Sequence, residues 1–145
     1  MNKSWIANGF TAANALFGGL SIMMSISGEY HVAAICILIA MAADAFDGRV
    51  ARALGTAGPM GVELDSLSDD ISFGVAAGAL MYSYQLRELG AFGFIPCALL
   101  GAFCAFRLAR FNVKVTSIHG YFEGLPCPTV GVIIACYVLS GLSLI

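Results

Sequence analysis

Residues 44–52 read Asp44-Ala45-Phe46-Asp47-Gly48-Arg49-Val50-Ala51-Arg52, and after an interval of eight residues 61–69 read Gly61-Val62-Glu63-Leu64-Asp65-Ser66-Leu67-Ser68-Asp69. Charge therefore recurs at fixed intervals in a chain that is otherwise as apolar as a membrane span. A charged side chain near the centre of a membrane helix costs about 2.5–3.5 kcal/mol on the insertion scale, so charge retained there points first to function. On a helix, Asp44 and Asp47 share a face three residues apart, and Asp65 and Asp69 share one four residues apart. Gly48 and Ala51 continue the Asp44 strip and leave room for a ligand or a facing backbone. The glycine-bearing linker from Gly55 to Gly61 turns the chain back, so two carboxylate faces meet at the same end of consecutive antiparallel helices.

The rest of the chain supplies the lipid-facing scaffold. Of 145 residues 59% are hydrophobic and 11% charged, with mean hydropathy +0.87. Soluble domains carry about 25% charged residues, so the expected class is all-α, a polytopic membrane helix bundle forming one domain over 1–145. Apolar stretches near 9–27, 32–52, 63–84, 91–110 and 128–145 are each long enough to span a bilayer at about 1.5 Å per residue. They are separated by Ser27-Gly28-Glu29, the Gly55–Gly61 segment, Gln85–Gly90 and the long Asn112–Pro128 loop. The first stretch reads as a retained span rather than a cleaved signal. With the N-terminus in the cytoplasm, Lys3, Arg49, Arg52, Arg107, Arg110 and Lys114 fall on the cytoplasmic side and only Arg87 outside. The acidic cluster then opens to the cytoplasm of a multi-pass protein in the cell membrane. Five spans leave the C-terminus outside in an apolar run, which predicts a sixth helix beyond this sequence.

No basic run suggests a nucleic-acid partner. The five cysteines (Cys36, Cys97, Cys104, Cys127 and Cys136) are scattered through apolar stretches without a C-x-x-C pair, and read as small core residues rather than a disulfide or zinc site. Trp5 with Lys3 reads as an interfacial anchor, and His31 and His119 as loop residues.

Carboxylates from two helices offer only oxygen donors, which suits Mg²⁺ or Mn²⁺ better than zinc. Two such ions about 4 Å apart can bridge phosphate oxygens and stabilise a leaving group. Two other readings of the acids remain open: interfacial carboxylates paired with Arg49 and Arg52, and an ion or proton pathway such as a divalent-cation transporter.

The whole spacing, Asp44-x2-Asp47-Gly48-x2-Ala51-Arg52-x8-Gly61-x3-Asp65-x3-Asp69, resembles the signature of the CDP-alcohol phosphotransferases, integral membrane enzymes of phospholipid synthesis. The resemblance implies a six-helix domain, usually a homodimer, with two metal ions held by Asp44, Asp47, Asp65 and Asp69. It implies that Asp69 is also the general base, and that Gly48, Arg52 and Gly61 lie against the CDP moiety with Arg52 on the diphosphate. In Asn8-x2-Thr11-x2-Asn14, the polar residues either satisfy the interface or, as the family implies for this region, place Asn8 and Thr11 on CDP. Relatives often have Ser or Thr where this chain has Gly58. Asp70 aligns with Glu63 around the helix and reads as part of a second, structural face.

The segments Phe106-Arg107-Leu108-Ala109-Arg110-Phe111-Asn112 and Gly124-Leu125-Pro126-Cys127-Pro128 resemble blocks of the bacterial and archaeal serine-specific branch of that family. This implies transfer of a phosphatidyl group from CDP-diacylglycerol to L-serine, with CMP released. Arg107 and Arg110 fall on one helical face with Lys114; the face is either interfacial snorkelling or a site for the acceptor's carboxylate. Glycerol 3-phosphate or an inositol phosphate would also call for cations there.

Overall fold

The structure, a computed structural model, describes residues 4–55, 58–114 and 126–142, and within them all the regular structure is helical. Helix α1 (Ser4–Ile26) and helix α2 (Tyr30–Leu54) form an antiparallel hairpin. The reversal needs one left-handed residue, supplied by Gly28 at φ +84°, after which the Glu29 N–H reaches the Met24 carbonyl at 2.9 Å. Helix α1 turns a stripe of small and polar residues inward: Thr11, Asn14, Gly18, Ser21 and Ser25 are all buried. Ala33, Ala34, Ile37 and Ala40 of α2 are buried in the same bundle. In lipid there is no hydrophobic drive between apolar helices, so close backbone approach across small residues holds such a pair.

Helices α1, α2 and α5 (Ala91–Lys114) contain stretches long and apolar enough to cross a membrane. The span expected at 63–84 is a continuous helical run of three parts: α3 (Pro59–Asp69), a π-helical segment (Asp70–Val75) and α4 (Ala76–Tyr84). The junctions stay right-handed helical, with Asp70 at φ −64°, ψ −42° and Ala76 at φ −66°, ψ −40°. The run extends roughly 39 Å at about 1.5 Å per residue, sufficient for a bilayer core of about 30 Å. A short 3₁₀ turn (Leu86–Leu89) leads into α5. Helix α6 (Cys127–Leu139) is shorter than the stretch expected at 128–145, because Ser140 and Gly141 leave the helix, Gly141 at φ +67°.

Glycine sets the spacing around the third span. A Cβ on Gly78 would sit 2.5 Å from the Cys97 carbonyl oxygen, and one on Gly74 would sit 3.0 Å from Cys104 Cβ and 3.2 Å from Gly101 Cα. Both glycines therefore let α5 press against the backbone of the π segment and α4. On the other side, Gly131 of α6 admits the ring of Phe73, and Gly18 of α1 admits Ser72. Phe73 becomes the largest fully buried side chain, packed in one core with Ile37, Ala77, Leu80, Ala135 and Val138.

The two ends of the bundle differ chemically. At the end of the α1–α2 turn, Tyr84 meets Tyr30 and Tyr137 edge-on, with ring centroids 5.6 and 6.1 Å apart. The Tyr137 hydroxyl donates to Gln85 at 2.6 Å. Such amphipathic rings belong at a membrane–water boundary. The opposite end gathers the start of α1, the end of α2 and α3, and carries the aspartate cluster.

Candidate active site

Helices α2 and α3 both pack on α1, and this shared support brings their aspartates together. Asp44 of α2 and Asp65 and Asp69 of α3 each present a carboxylate oxygen, all within 4.8 Å of one another. Asp44 and Asp65 are half-buried, and Asp69 is 8% exposed. At that separation two unit charges repel by about 3.5 kcal/mol at an effective dielectric near 20. Three ionised carboxylates would oppose one another, and a divalent cation among them would turn the balance to attraction. The donors are oxygens alone, on two rigid helices, with no thiolate or imidazole in the triangle, which fits a hard cation.

Asp47 stands beside the triangle rather than in it. It is buried at 5% exposure and accepts the hydroxyl of Thr11 from α1. The antiparallel α1–α2 hairpin causes this, since it lays the first turns of α1 along the last turns of α2. The same geometry brings Asn14 to Asp69: the Asn14 side-chain N–H₂ donates from Nδ2 to Asp69 Oδ1 at 3.0 Å.

The residues expected on CDP distribute as follows. Asn8 and Gly61 approach across α1 and α3, with Asn8 Oδ1 at 4.0 Å from where a Gly61 Cβ would stand. Gly48 is half-buried on α2. The side chain of Arg52 lies outside the described residues. Gly58 is the N-cap of α3, extended at φ −94°, ψ 161°, and provides no side-chain cap, while Pro59 occupies the first helical turn where its missing N–H is not needed.

Of the residues expected on the acceptor, Arg107 is half-buried and its Nη1 donates to the Cys127 sulfur at 3.5 Å, while Arg110 is exposed. Asn112, three residues before the undescribed stretch 115–125, donates from Nδ2 to Ser66 Oγ at 3.0 Å and ties the end of α5 to α3 next to Asp65. His119, Gly124 and the side chain of Trp5 also fall outside the described residues. All five cysteines are free, with Cys36, Cys104 and Cys127 buried. Glu63 and Asp70 do not form a common face: Glu63 is exposed, whereas Asp70 lies against Cys104 and Gly101 of α5, with Oδ1 buried and unpartnered. Alignment around the axis left them about 10 Å apart along it, in different surroundings.

The roles of Asn14 and Asn112 at the site, and of their partners Ser72 and Ser66, do not follow from the sequence motifs in which the two asparagines stand. Asn14 carried a signal in its three-residue spacing from Thr11, but its partner 55 residues away did not.

A sequence model described as CDP-alcohol phosphatidyltransferase matches residues 4–144. The chain is 38% identical over 133 residues to a Helicobacter pylori protein named CDP-diacylglycerol–serine O-phosphatidyltransferase, covering 91% of this chain and 56% of that one. It is 38% identical over 122 residues to a Bacillus subtilis protein of the same name, covering 83% and 68%. It is 40% identical over 130 residues to the archaetidylserine synthase of Methanothermobacter thermautotrophicus, covering 88% and 55%. The chain thus spans about half the length of most of the curated relatives it matches. No solved structure matches it.

Proposed function

The chain belongs to the CDP-alcohol phosphatidyltransferase family, and from that premise we propose that it transfers the phosphatidyl group of CDP-diacylglycerol to L-serine. The observation that carries this reading is the convergence of Asp44, Asp65 and Asp69 from α2 and α3, with Asp47 alongside. The names of the relatives favour serine as acceptor over glycerol 3-phosphate or an inositol phosphate, and enzyme over cation transporter.

Asp44, Asp47, Asp65 and Asp69 would hold two divalent ions, Mg²⁺ or Mn²⁺. When bound, such ions stabilise the negative charge of the diphosphate and of the CMP leaving group. The protein's own groups do the remaining work. Asp69 accepts the proton of the serine hydroxyl, since an alcohol is a poor nucleophile until a positioned base takes that proton. The serine oxygen then bonds to the phosphorus bearing the lipid, and the bond from that phosphorus to the CMP oxygen breaks. Thr11 holds Asp47 in place, so its role in this scheme is on a carboxylate rather than on CDP alone. Asn8, Gly48 and Gly61 leave space for the nucleotide, and Arg52 makes charge-assisted bonds to its phosphates. Arg107 and Arg110 receive the serine carboxylate, Arg107 from its place beside Cys127. The site faces the cytoplasm from the cell membrane, in a homodimer of six-helix domains.

The test is CMP release by the purified protein in detergent, with CDP-diacylglycerol and one acceptor at a time. Serine-dependent release supports the proposal. Release that responds only to glycerol 3-phosphate or an inositol phosphate reassigns the acceptor, and metal flux into sealed vesicles without turnover replaces the enzyme with a transporter.

A further inference from the structure

Asp69 is not held by α3 alone. Asp69 receives the Asn14 amide at 3.0 Å, and Asn14 is fully buried at 0% exposure. Asn14 is in turn fixed from the other side, where the Ser72 hydroxyl donates to its backbone carbonyl at 2.9 Å. Ser72 can reach it only because position 18 has no side chain: a Cβ on Gly18 would stand 2.9 Å from Ser72 Cα. Ser72 lies in the π segment that begins directly after Asp69, and π turns inside helices recur at functional sites. Two consecutive parts of the third span, Asp69 and the π segment, are thereby both docked onto Asn14.

An amide nitrogen is a donor only, so Asn14 occupies one lone pair of Asp69 Oδ1 and leaves Oδ2 unengaged by the amide. The reversed amide would set oxygen against oxygen, and the observed orientation leaves Asn14 Oδ1 buried without a partner. A buried acceptor without a partner is costly, so packing rather than its own satisfaction holds the amide there. Neighbours that orient ligands typically contribute 10–100-fold to affinity or activity.

We propose that Asn14 is a positioning residue for Asp69, fixing one oxygen of that carboxylate so that the other is presented to the metal and the acceptor hydroxyl. The proposal rests on the functional reading above for the role of Asp69, and on the Asn14–Asp69–Ser72 geometry for the rest. It differs from a structural role in one respect: its loss should weaken what Asp69 does and leave substrate binding alone.

The experiment compares wild type with Asn14→Leu, which removes both polar atoms at similar volume, and Asn14→Asp, which keeps the shape without the N–H₂ donor. Serine-dependent CMP release gives kcat and KM, and Mn²⁺ titration followed by electron paramagnetic resonance gives metal affinity without turnover. Both variants should lower kcat about 10- to 100-fold with both substrate KM values within about twofold, and Asn14→Leu should weaken Mn²⁺ binding by at least several-fold. In an Asp69→Asn background, Asn14→Leu should leave Mn²⁺ affinity unchanged. If Asn14→Leu yields no folded protein, Asn14→Asp is read by itself. A kcat within twofold of wild type, a loss shared equally by every KM, or an equal Mn²⁺ effect with and without Asp69 overturns the proposal. Wild-type protein that binds Mn²⁺ with the predicted Asn14 dependence yet releases no CMP with serine sinks the functional reading and leaves the positioning role standing.

Discussion

Replacing Gly18 by alanine adds one methyl group at the seam on which the site's alignment depends. The new Cβ would overlap Ser72 Oγ and lie 2.9 Å from Ser72 Cα, where ordinary contact begins near 3.4 Å. The side-chain oxygen can rotate away, but the backbone Cα cannot, so α1 has to move off the π segment. Overpacking of this kind costs about 1–3 kcal/mol. Rotating Ser72 away also breaks its 2.9 Å bond to the Asn14 carbonyl, a further loss of about 0.5–1.5 kcal/mol. The two effects place Gly18→Ala at about 1.5–4.5 kcal/mol of destabilisation. Gly19 is the internal control, because a Cβ there meets nothing within 4 Å. Gly19→Ala should be neutral, or stabilising by up to about 1 kcal/mol through helix propensity. Reversible unfolding in mixed detergent micelles measures both, and Ser72→Ala isolates the hydrogen bond. A Gly18→Ala protein within 0.5 kcal/mol of wild type, or one no less stable than Gly19→Ala, would refute the close α1–π contact; the threshold reflects the usual scatter of surface substitutions, about ±0.5 kcal/mol.

Four further outcomes are expected. Asp69→Asn should lower serine-dependent CMP release by about 10²–10⁴-fold, the usual contribution of a positioned base, while Mn²⁺ binding persists in part. Chelation with EDTA should abolish CMP release, and added Mg²⁺ or Mn²⁺ should restore it in the same sample. Arg107→Ala should raise the serine KM by about 10–100-fold, the equivalent of one hydrogen bond to a charged group, with the KM for CDP-diacylglycerol unchanged. Asn112→Leu should destabilise the protein by about 0.5–1.5 kcal/mol through loss of its bond to Ser66, read in the same unfolding assay.

The features legible in the sequence were those governed by local periodicity. Helical spacing alone put Asp44 and Asp47 on one face and Asp65 and Asp69 on another, and a short linker between two apolar runs left few ways to arrange them except face to face. The triangle of Asp44, Asp65 and Asp69 combines those faces with the packing of both helices on α1. What escaped depended on a third helix and on steric detail. Asp47 is engaged by Thr11 because α1 lies along α2, a pairing between helices that the spacing of the acids does not reveal. The π segment follows from no propensity of Asp70–Val75, and is accompanied by close packing of Gly74 on α5 and of Phe73 against Gly131 on α6. The helical face of Arg107 is compatible with snorkelling or with an acceptor's carboxylate, and its contact with Cys127 of α6 follows from neither. Asp70 and Glu63 share an angle without sharing an environment, which helical phase by itself does not reveal.

Mn²⁺ titration followed by electron paramagnetic resonance bears most directly on the claim that carboxylates of α2 and α3 form one divalent-cation site. It would be run on wild-type protein and on Asp44→Asn/Asp65→Asn/Asp69→Asn in the same detergent. Wild type should bind two Mn²⁺ per chain with a spectrum of magnetically coupled ions, and the triple variant should bind none above the detergent blank. Equal binding by the two proteins would contradict the account.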